Sequence, residues 1–371
     1  MTADRPEVGA DVSSPDERRR IPWSRTATIS TVRSLYTIRP SPGPRWPLAL
    51  QAALAIAAPI AVMTLLGRPD LGYQAATGAF AALHVSQLRA RERATVLPLV
   101  VVGLIACAAL GVLVGSSTVL TLVGMAVVTV GASAFMFGCR LGPPGPLFFV
   151  LTFGIAAHVA AVAPGFHPVT YLAAVSAGCV FSYLVALAPL VRPRRWREPR
   201  RRLHEILARQ PWDADSWSLF QRSVLVAVIG SVAGILVDPD RAYWIVASGI
   251  AVVGVVASRR VAVSRGIHRM IGTVGGAGLY FLLVLVPWAG LWLAALLGAL
   301  QFAIEIVVVR HYAMALVLIT PMVLLLTGAA TGDIGSSAVA LERILDTIVG
   351  SVLGLVAIIV PPVRRTGPAA R

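Results

Sequence analysis

Two acidic residues and an arginine near the end of the chain have the spacing that proton or anion chemistry needs. Glu342 and Asp346 lie four residues apart, on the same helical stripe as Gly350 and Gly354, and Arg343 lies beside them. At about 1.5 Å per residue, Asp346 lies roughly 12 Å inside an apolar run long enough to cross a membrane. An unpaired charge at that depth costs several kcal/mol, so we expect Asp346 to be paired or protonated.

This cluster has two interpretations. In the structural one, Arg343 neutralises Asp346 one helical turn away. In the functional one, Asp346 exchanges a proton while Arg343 attracts an anion, and Glu342 belongs to the same coupling site. Glu305 is a further coupling candidate. Because it lies near the end of its own apolar run, a carboxylate paired with a local group such as Arg310 is the simpler explanation there.

A second group of basic residues lies at the start of another apolar run. Arg265, His268 and Arg269 are spaced three to four residues apart, so a helix would place them on one face. Such a cationic face at the entrance of a membrane protein suits the capture of an anionic solute. The alternative is an anchor of the kind that keeps arginines on the cytoplasmic side of a membrane, and both interpretations stay open.

The composition identifies the class of protein that must position these residues. Of 371 residues, 57% are hydrophobic and 13% are charged, and the mean hydropathy is +0.79, which leaves too little polar surface for a soluble globule. The net charge of +15 comes from arginine alone, since the chain has no lysine. The arginines form short clusters between apolar runs, which argues against a nucleic-acid partner and indicates contact with anionic lipid headgroups.

Twelve apolar runs, each close to the length of a membrane-spanning helix, form two sets of six. They cover residues 47–67, 71–88, 95–114, 118–138, 145–163, 168–191, 217–237, 242–258, 267–287, 289–309, 311–327 and 338–361. The first set (47–191) and the second (217–361) are joined by a basic cytoplasmic bridge, residues 192–216. Residues 1–46 are predicted to be a disordered basic tail without a cleavable signal peptide, and residues 362–371 a second tail. Glycines four residues apart predict helix faces in close contact: Gly111 and Gly115, Gly230 and Gly234, Gly272 and Gly276, Gly350 and Gly354.

The two sets look like copies of one unit. A shift of about 170 positions aligns identical residues in order: Gln51 with Gln221, Pro69 with Pro239, Asp70 with Asp240, Tyr73 with Tyr243, Arg89 with Arg259 and, slightly shifted, Gly178 with Gly350. We therefore predict an all-α polytopic membrane protein with about twelve transmembrane helices, arranged as two parallel six-helix repeats. The charges of the last run have no counterpart in the first copy, which favours a specialised role for them.

The arginines also predict the orientation in the membrane. All but three of the 32, namely Arg68, Arg241 and Arg343, fall on one side of this arrangement. Because basic residues are retained on the cytoplasmic side, both termini and the bridge are predicted to be cytoplasmic. The expected location is the plasma (inner) membrane, which the chain crosses many times.

The second copy carries a recognisable set of motifs. These are Tyr243-Trp244, Arg265-x-x-His268-Arg269-x-x-Gly272-Thr273, the run from Tyr312 to Thr320, and Arg343-x-x-Asp346-Thr347-x-x-Gly350. The chain resembles the integral membrane module of the fusaric acid resistance protein-like family, related to the aromatic acid exporters. The resemblance is clearest over residues 217–361 and implies efflux of aromatic or other amphipathic organic acids. Larger relatives carry a soluble domain, of which this chain has only the bridge.

The predicted function is therefore an exporter of small aromatic or amphipathic organic acids, coupled to protons. Direct ATP hydrolysis is not expected, because the phosphate-binding loop requires a lysine and the chain has none. The alternative is a non-transporting membrane scaffold or envelope-assembly partner that docks through its basic segments. An enzyme is not expected and no cofactor or metal is predicted, since Cys107, Cys139 and Cys179 are scattered singly. Expected partners are anionic lipids, the organic acid, and a second copy or an accessory efflux subunit.

Overall fold

The computed structural model describes residues 25–40, 43–163, 165–196, 199–208, 212–254 and 257–359, and within these ranges the chain is helical without strands. The helices are α1 (Arg25–Ser34), α2 (Trp46–Leu65), α3 (Pro69–Ala76), α4 (Ala90–Val114), α5 (Thr118–Gly138), α6 (Leu147–Val162), α7 (Pro168–Ala186), α8 (Pro193–Trp196), α9 (Leu203–Ile206), α10 (Ala214–Val237), α11 (Ala242–Val253), α12 (Arg259–Leu283), α13 (Gly290–Val307), α14 (Tyr312–Thr331) and α15 (Ser337–Ile359). Short 3₁₀ helices, Thr77–Leu83 and Ala188–Val191, follow α3 and α7.

Seven of the described helices are long and apolar enough to cross a membrane: α2, α4, α5, α7, α10, α13 and α14. Helices α6 and α11 are apolar but shorter, and α12 and α15 are long but carry charged residues. A chain with so many apolar helices is a multi-pass membrane protein. Each of the twelve predicted apolar runs contains a helix.

The second run of each set differs most from its prediction. Residues 71–88 form only α3 and the 3₁₀ helix after it, and residues 242–258 form α11, which at 12 residues spans about 18 Å. All residues of α11 are buried. Because neighbouring helices cover α11, its length need not match the thickness of a bilayer.

Helix packing follows one pattern in the two halves. In the first half, α2 packs on α3, α4 on α6 and α7, α5 on α6, and α3 on α7. The helices in the same order in the second half make the same contacts: α10 on α11, α12 on α14 and α15, α13 on α14, and α11 on α15. The halves meet where α13 packs on α2 and where α5 packs on α10. These two contacts correspond to each other, because α2 and α5 have the same places in the first half as α10 and α13 have in the second.

Glycines allow the closest of these contacts. A Cβ atom on Gly178 would overlap the carbonyl oxygen of Ala75, and one on Gly350 would overlap the carbonyl oxygen of Ile245. All eight glycines of the four predicted pairs lie against another helix, since an added Cβ at each would come within 3.1 Å of it. The prediction that these glycines mark packed faces is confirmed.

The segment before α2 is a correction to the prediction of a disordered tail over residues 1–46. Within the described part of that segment, residues 25–34 form helix α1, which packs against α12. The physical reason is its polar contacts: the Ser34 hydroxyl lies 3.1 Å from the Ser264 hydroxyl, and the Arg39 N–H donates to the Arg310 carbonyl at 3.1 Å. Residues 1–24 and 41–42 lie outside the described part of the chain.

The basic bridge packs on the first half through its described residues. The Arg201 guanidinium pairs with the buried Glu92 carboxylate at 3.0 Å, and Arg89 donates to the Pro199 carbonyl at 2.8 Å. Ile206 is buried as well. The bridge is therefore held against the start of α4. Residues 197–198 and 209–211, and the predicted tail 362–371, lie outside the described residues.

Candidate functional site

The acidic stripe of α15 brings Asp346 and Arg343 into the interior of the second half. Asp346 is 0% exposed and Arg343 5% exposed. The stripe is buried because Gly350 and Gly354, on the same face, let α15 lie directly on α11. The burial expected for Asp346 is therefore found, and the energetic problem of a buried acid is present in the structure.

Arg343 does not form an ion pair with Asp346. Its guanidinium carbon lies 4.8 Å from the centre of the Trp244 ring instead, in a cation–π contact. The Arg343 Nε and Nη1 atoms and both carboxylate oxygens of Asp346 are buried without a hydrogen-bond partner. The structural interpretation, in which the two side chains neutralise each other directly, does not describe this geometry.

Arg269 brings a second buried guanidinium to the same region. It is 6% exposed and donates to the Tyr312 hydroxyl at 3.1 Å and to the Ser248 hydroxyl at 3.1 Å, while its Nε has no partner. Among the described residues, neither Arg269 nor Arg343 has a carboxylate within ion-pair distance. The interior thus holds two positively charged guanidinium groups that repel each other, and some of their N–H donors have no acceptor among the described residues.

Asp238 adds a second carboxyl group beside Asp346. It caps the end of α10, where its Oδ1 accepts the Arg241 N–H at 3.0 Å, and it is 9% exposed. Its Oδ2 is buried without a partner, and a protonated Asp346 would donate a hydrogen bond to Asp238. The sequence analysis missed Asp238 because an acid at the end of a helix resembles an ordinary loop residue.

Glu342 lies one turn before Asp346 but points to a different partner. Its carboxylate pairs with the Arg241 guanidinium, and its side chain is 38% exposed. Arg241 also lies over the Trp244 ring, at 5.5 Å from its centre. Glu342 therefore belongs to a surface ion pair at the edge of the cluster, and its charge is already balanced.

The three predicted entrance residues lie on α12, but they have different surroundings. Arg265 donates through Nε and Nη2 to the Ala251 carbonyl at 3.2 and 3.1 Å, and its guanidinium lies 4.0 Å from the centre of the Tyr312 ring. Arg269 reaches the same tyrosine from the interior. Arg265 and Arg269 are thus brought together by Tyr312.

His268 faces away from this pair of arginines, toward α1. Its Nε2 lies 2.9 Å from the Ser34 hydroxyl, and its ring stacks on that of His311 with 5.5 Å between centres. The His311 Nε2 donates to the Leu35 carbonyl at 2.9 Å, because its Nδ1 accepts the Met314 N–H. The segment after α1 therefore covers the end of α12 at which the entrance was predicted.

Glu305 lies between the two halves, in the contact of α13 with α2. Its carboxylate pairs with Arg45 at 3.1 Å and accepts a hydrogen bond from Gln301 at 3.4 Å. Glu305 is paired, as the simpler interpretation expected, but the partner is not local: it is Arg45, 260 positions away, and not Arg310.

Aromatic and hydroxyl groups complete the cluster around the arginines. Trp244, Tyr243, Tyr312 and Ser248 come from α11 and α14, and the first two are 2% and 4% exposed. The sequence analysis used Tyr243-Trp244 and Tyr312 only as parts of a resemblance. Within the described residues no group of His, Cys, Asp and Glu could hold a metal ion.

Comparison with known proteins identifies the second half. Residues 224–357 match the fusaric acid resistance protein-like family, which confirms the resemblance found in the sequence. An uncharacterized membrane protein, YvaC of Bacillus subtilis (strain 168), is 34% identical over 115 residues, which is 31% of this chain and 18% of that relative. No solved structure matches the chain significantly. The matched residues include Asp238, Arg269, Arg343 and Asp346.

Proposed function

We propose that this protein exports small aromatic or amphipathic organic acids across the inner membrane, in a cycle coupled to protons. The observation that carries the proposal is the buried cluster in which Arg269 and Arg343 lack carboxylate partners beside the rings of Trp244 and Tyr312. The family match over residues 224–357 is consistent with a transporter-like role.

The two arginines supply what an organic anion needs. A guanidinium binds a carboxylate through two parallel N–H donors, and the Nε and Nη1 of Arg343 are buried and unused. Leaving charged donors unpaired in a membrane interior is costly, so a bound carboxylate would remove that penalty. The cluster thus favours an anion over a neutral solute.

The aromatic rings supply the second part of the specificity. Trp244 already stacks on Arg343, and Tyr312 binds Arg269 through its hydroxyl and Arg265 through its ring. An aromatic acid that placed its carboxylate between the arginines would lie against these rings and bury its own ring there. Acids without an apolar part would gain only the ionic contact.

The proposed membrane arrangement has twelve spans in two parallel repeats, with both termini and the bridge in the cytoplasm. The identical packing of helices α2–α7 and α10–α15 supports the duplication. The separation of the arginines supports the orientation, because 29 of the 32 would face the cytoplasm. In this arrangement Asp346 and Arg343 lie in the outer half of the membrane.

The test is flux through the purified protein in lipid vesicles preloaded with aromatic carboxylates, with pH gradients of both signs imposed. We expect gradient-dependent movement of at least one acid. Arg343→Gln should reduce it at least tenfold by weakening anion binding, and Asp346→Asn should abolish its dependence on the gradient. Asp70→Asn, in an exposed ion pair with Arg68 at the start of α3, is the matched control and should leave flux unchanged.

The same experiment can contradict the export proposal. If folded protein moves no acid of the panel in either gradient, the export proposal is wrong, and the scaffold alternative gains support. Equal flux in wild type and Arg343→Gln would show that the buried arginines do not bind the transported anion.

A further inference from the structure

We infer that Asp238 and Asp346 hold one proton between them and form a single proton-binding site at the junction of α10 and α15. The inference rests on the proposed function for its role in coupling, but the proton site itself does not require transport. Asp238 comes from the loop that follows α10, and Asp346 from the third turn of α15. No predicted site included Asp238.

The two carboxyl groups are buried and almost without hydrogen-bond partners among the described residues. Asp346 is completely buried and Asp238 is 9% exposed, and three of their four carboxyl oxygens have no hydrogen-bond partner. The fourth, Oδ1 of Asp238, is used by the Arg241 N–H. Two facing carboxylates offer each other only acceptors, so in the fully ionised state neither can satisfy the other.

A shared proton resolves this. If Asp346 carries the proton, its O–H donates to the carboxylate of Asp238, and one hydrogen bond replaces the repulsion of two like charges. Carboxyl pairs of this kind release their protons as a unit, in two coupled steps. The pair would therefore act as one proton-binding group.

The neighbouring charges leave this site without a direct counter-ion. The Arg241 guanidinium is used by Glu342, and Arg343 stacks on Trp244. Among the described residues, neither acid of the pair has a cation within ion-pair distance. The titratable and charged groups that face the pair are Arg241, Glu342, Arg343, Arg269, Tyr243 and His158.

The loop that carries Asp238 is itself fixed in place. The Arg241 backbone binds Asp238 while its side chain binds Glu342 on α15, so one residue joins the loop to the helix that carries Asp346. His158 on α6 holds the next loop residue, since its Nδ1 lies 2.9 Å from the Asp240 carbonyl oxygen. A change in the proton on the pair would act directly on the contact of α10 with α15.

The test is infrared spectroscopy of the full chain in lipid nanodiscs without substrate, titrated with pH. Wild type should show the absorption of a buried protonated carboxyl group. That absorption should be lost in Asp346→Asn. In Asp238→Asn its titration midpoint should shift, because the acceptor and like charge beside Asp346 are removed. Asp70→Asn, which changes an exposed acid in the first turn of α3, should keep the absorption unchanged.

The two proposals fail separately. If Asp238→Asn leaves the absorption and its titration midpoint as in wild type, the pair is wrong, even if vesicles still transport acids. If Asp346→Asn removes the absorption and Asp238→Asn shifts its midpoint but no acid moves in vesicles, the proton site stands and the export proposal fails. Should Asp238→Asn not fold, Asp238→Glu keeps a carboxyl group and is expected to retain the absorption with a shifted midpoint, whereas an unshifted midpoint would contradict the pair.

Discussion

Arg93 and Arg265 make corresponding contacts in the two halves of the molecule. The Arg265 guanidinium donates to the Ala251 carbonyl, near the end of α11, and the Arg93 guanidinium donates to the Ala82 carbonyl, near the end of the 3₁₀ helix after α3. In each half an arginine from the start of the third helix thus holds the end of the second. A contact present in both halves points to a structural task for Arg265 and Arg93.

Arg265→Ala should therefore act mainly on stability. It removes the donors of the Ala251 carbonyl, which we expect to cost about 1–3 kcal/mol of unfolding free energy. Arg93→Ala should cost a similar amount, whereas Arg269→Gln should weaken substrate binding more than stability. Thermal unfolding of the protein in detergent, with vesicle flux measured beside it, compares the three. A stable Arg265→Ala protein that has lost flux would instead make Arg265 a binding residue.

The glycines in the helix contacts give a matched set of four variants. Gly178→Ala and Gly350→Ala add a methyl group where a backbone carbonyl already lies, and each should destabilise the protein by about 1–3 kcal/mol or more. Gly131→Ala and Gly278→Ala are helical controls, one in each half, where the added group would meet no atom within 4 Å among the described residues apart from its own stretch of helix.

These controls should be neutral or stabilising by up to about 1 kcal/mol, since alanine favours a helix over glycine. The yield of monodisperse protein and its unfolding midpoint measure the difference. Similar losses at all four positions would show that the contacts at Gly178 and Gly350 are looser than described.

The helices and their closest contacts could be predicted from the sequence because both leave local patterns. Apolar runs located a helix in every predicted segment, and the spacing of Gly350 and Gly354 located the face of α15 that packs on α11. The shift between the copies aligned Gly178 with Gly350, and both meet a backbone carbonyl of the second helix of their half. Burial of Asp346 followed from its depth in an apolar run.

The partners of these residues could not be predicted, because they depend on long-range packing. In one of the two interpretations of the sequence, Arg343 neutralised Asp346 through its helical spacing, but Trp244, almost 100 positions earlier, holds it instead. Asp238 meets Asp346 only after α10 and α15 pack together. The tail prediction was wrong for α1 because a polar composition does not reveal that α12 offers hydroxyl and imidazole partners.

Glu305 and Arg45 should matter for the contact between the halves. Arg45→Ala leaves a carboxylate that is 7% exposed without its cation, and we expect a loss of about 2–3 kcal/mol, below the full cost of breaking a deeply buried pair because Arg45 is partly exposed. The exposed pair of Arg68 with Asp70 is the control, and Arg68→Ala should cost less than about 1 kcal/mol. Equal unfolding midpoints for the two variants would contradict the importance of this contact.

The bridge offers a test of both its packing and its side of the membrane. Glu92 is 3% exposed and binds Arg201, and this hydrogen bond raises the pKa of the Arg201 guanidinium, so the arginine stays charged throughout the range of a digestion experiment. Glu92→Ala should release the bridge and speed tryptic cleavage near Arg201 severalfold. Glu205→Gln, which alters an exposed carboxylate that accepts the Arg202 N–H and lies 4.0 Å from the His204 Nε2, should change the rate little.

The same cleavage reports orientation when trypsin is added to sealed vesicles. With a cytoplasmic bridge, cleavage near Arg201 should occur in inverted vesicles and be absent from right-side-out vesicles until detergent opens them. The opposite pattern would reverse the proposed topology, and with it the side from which Arg343 and Asp346 are reached. Cleavage at equal rates in wild type and Glu92→Ala would show that the ion pair does not hold the bridge, because a bound segment must first detach to enter a protease.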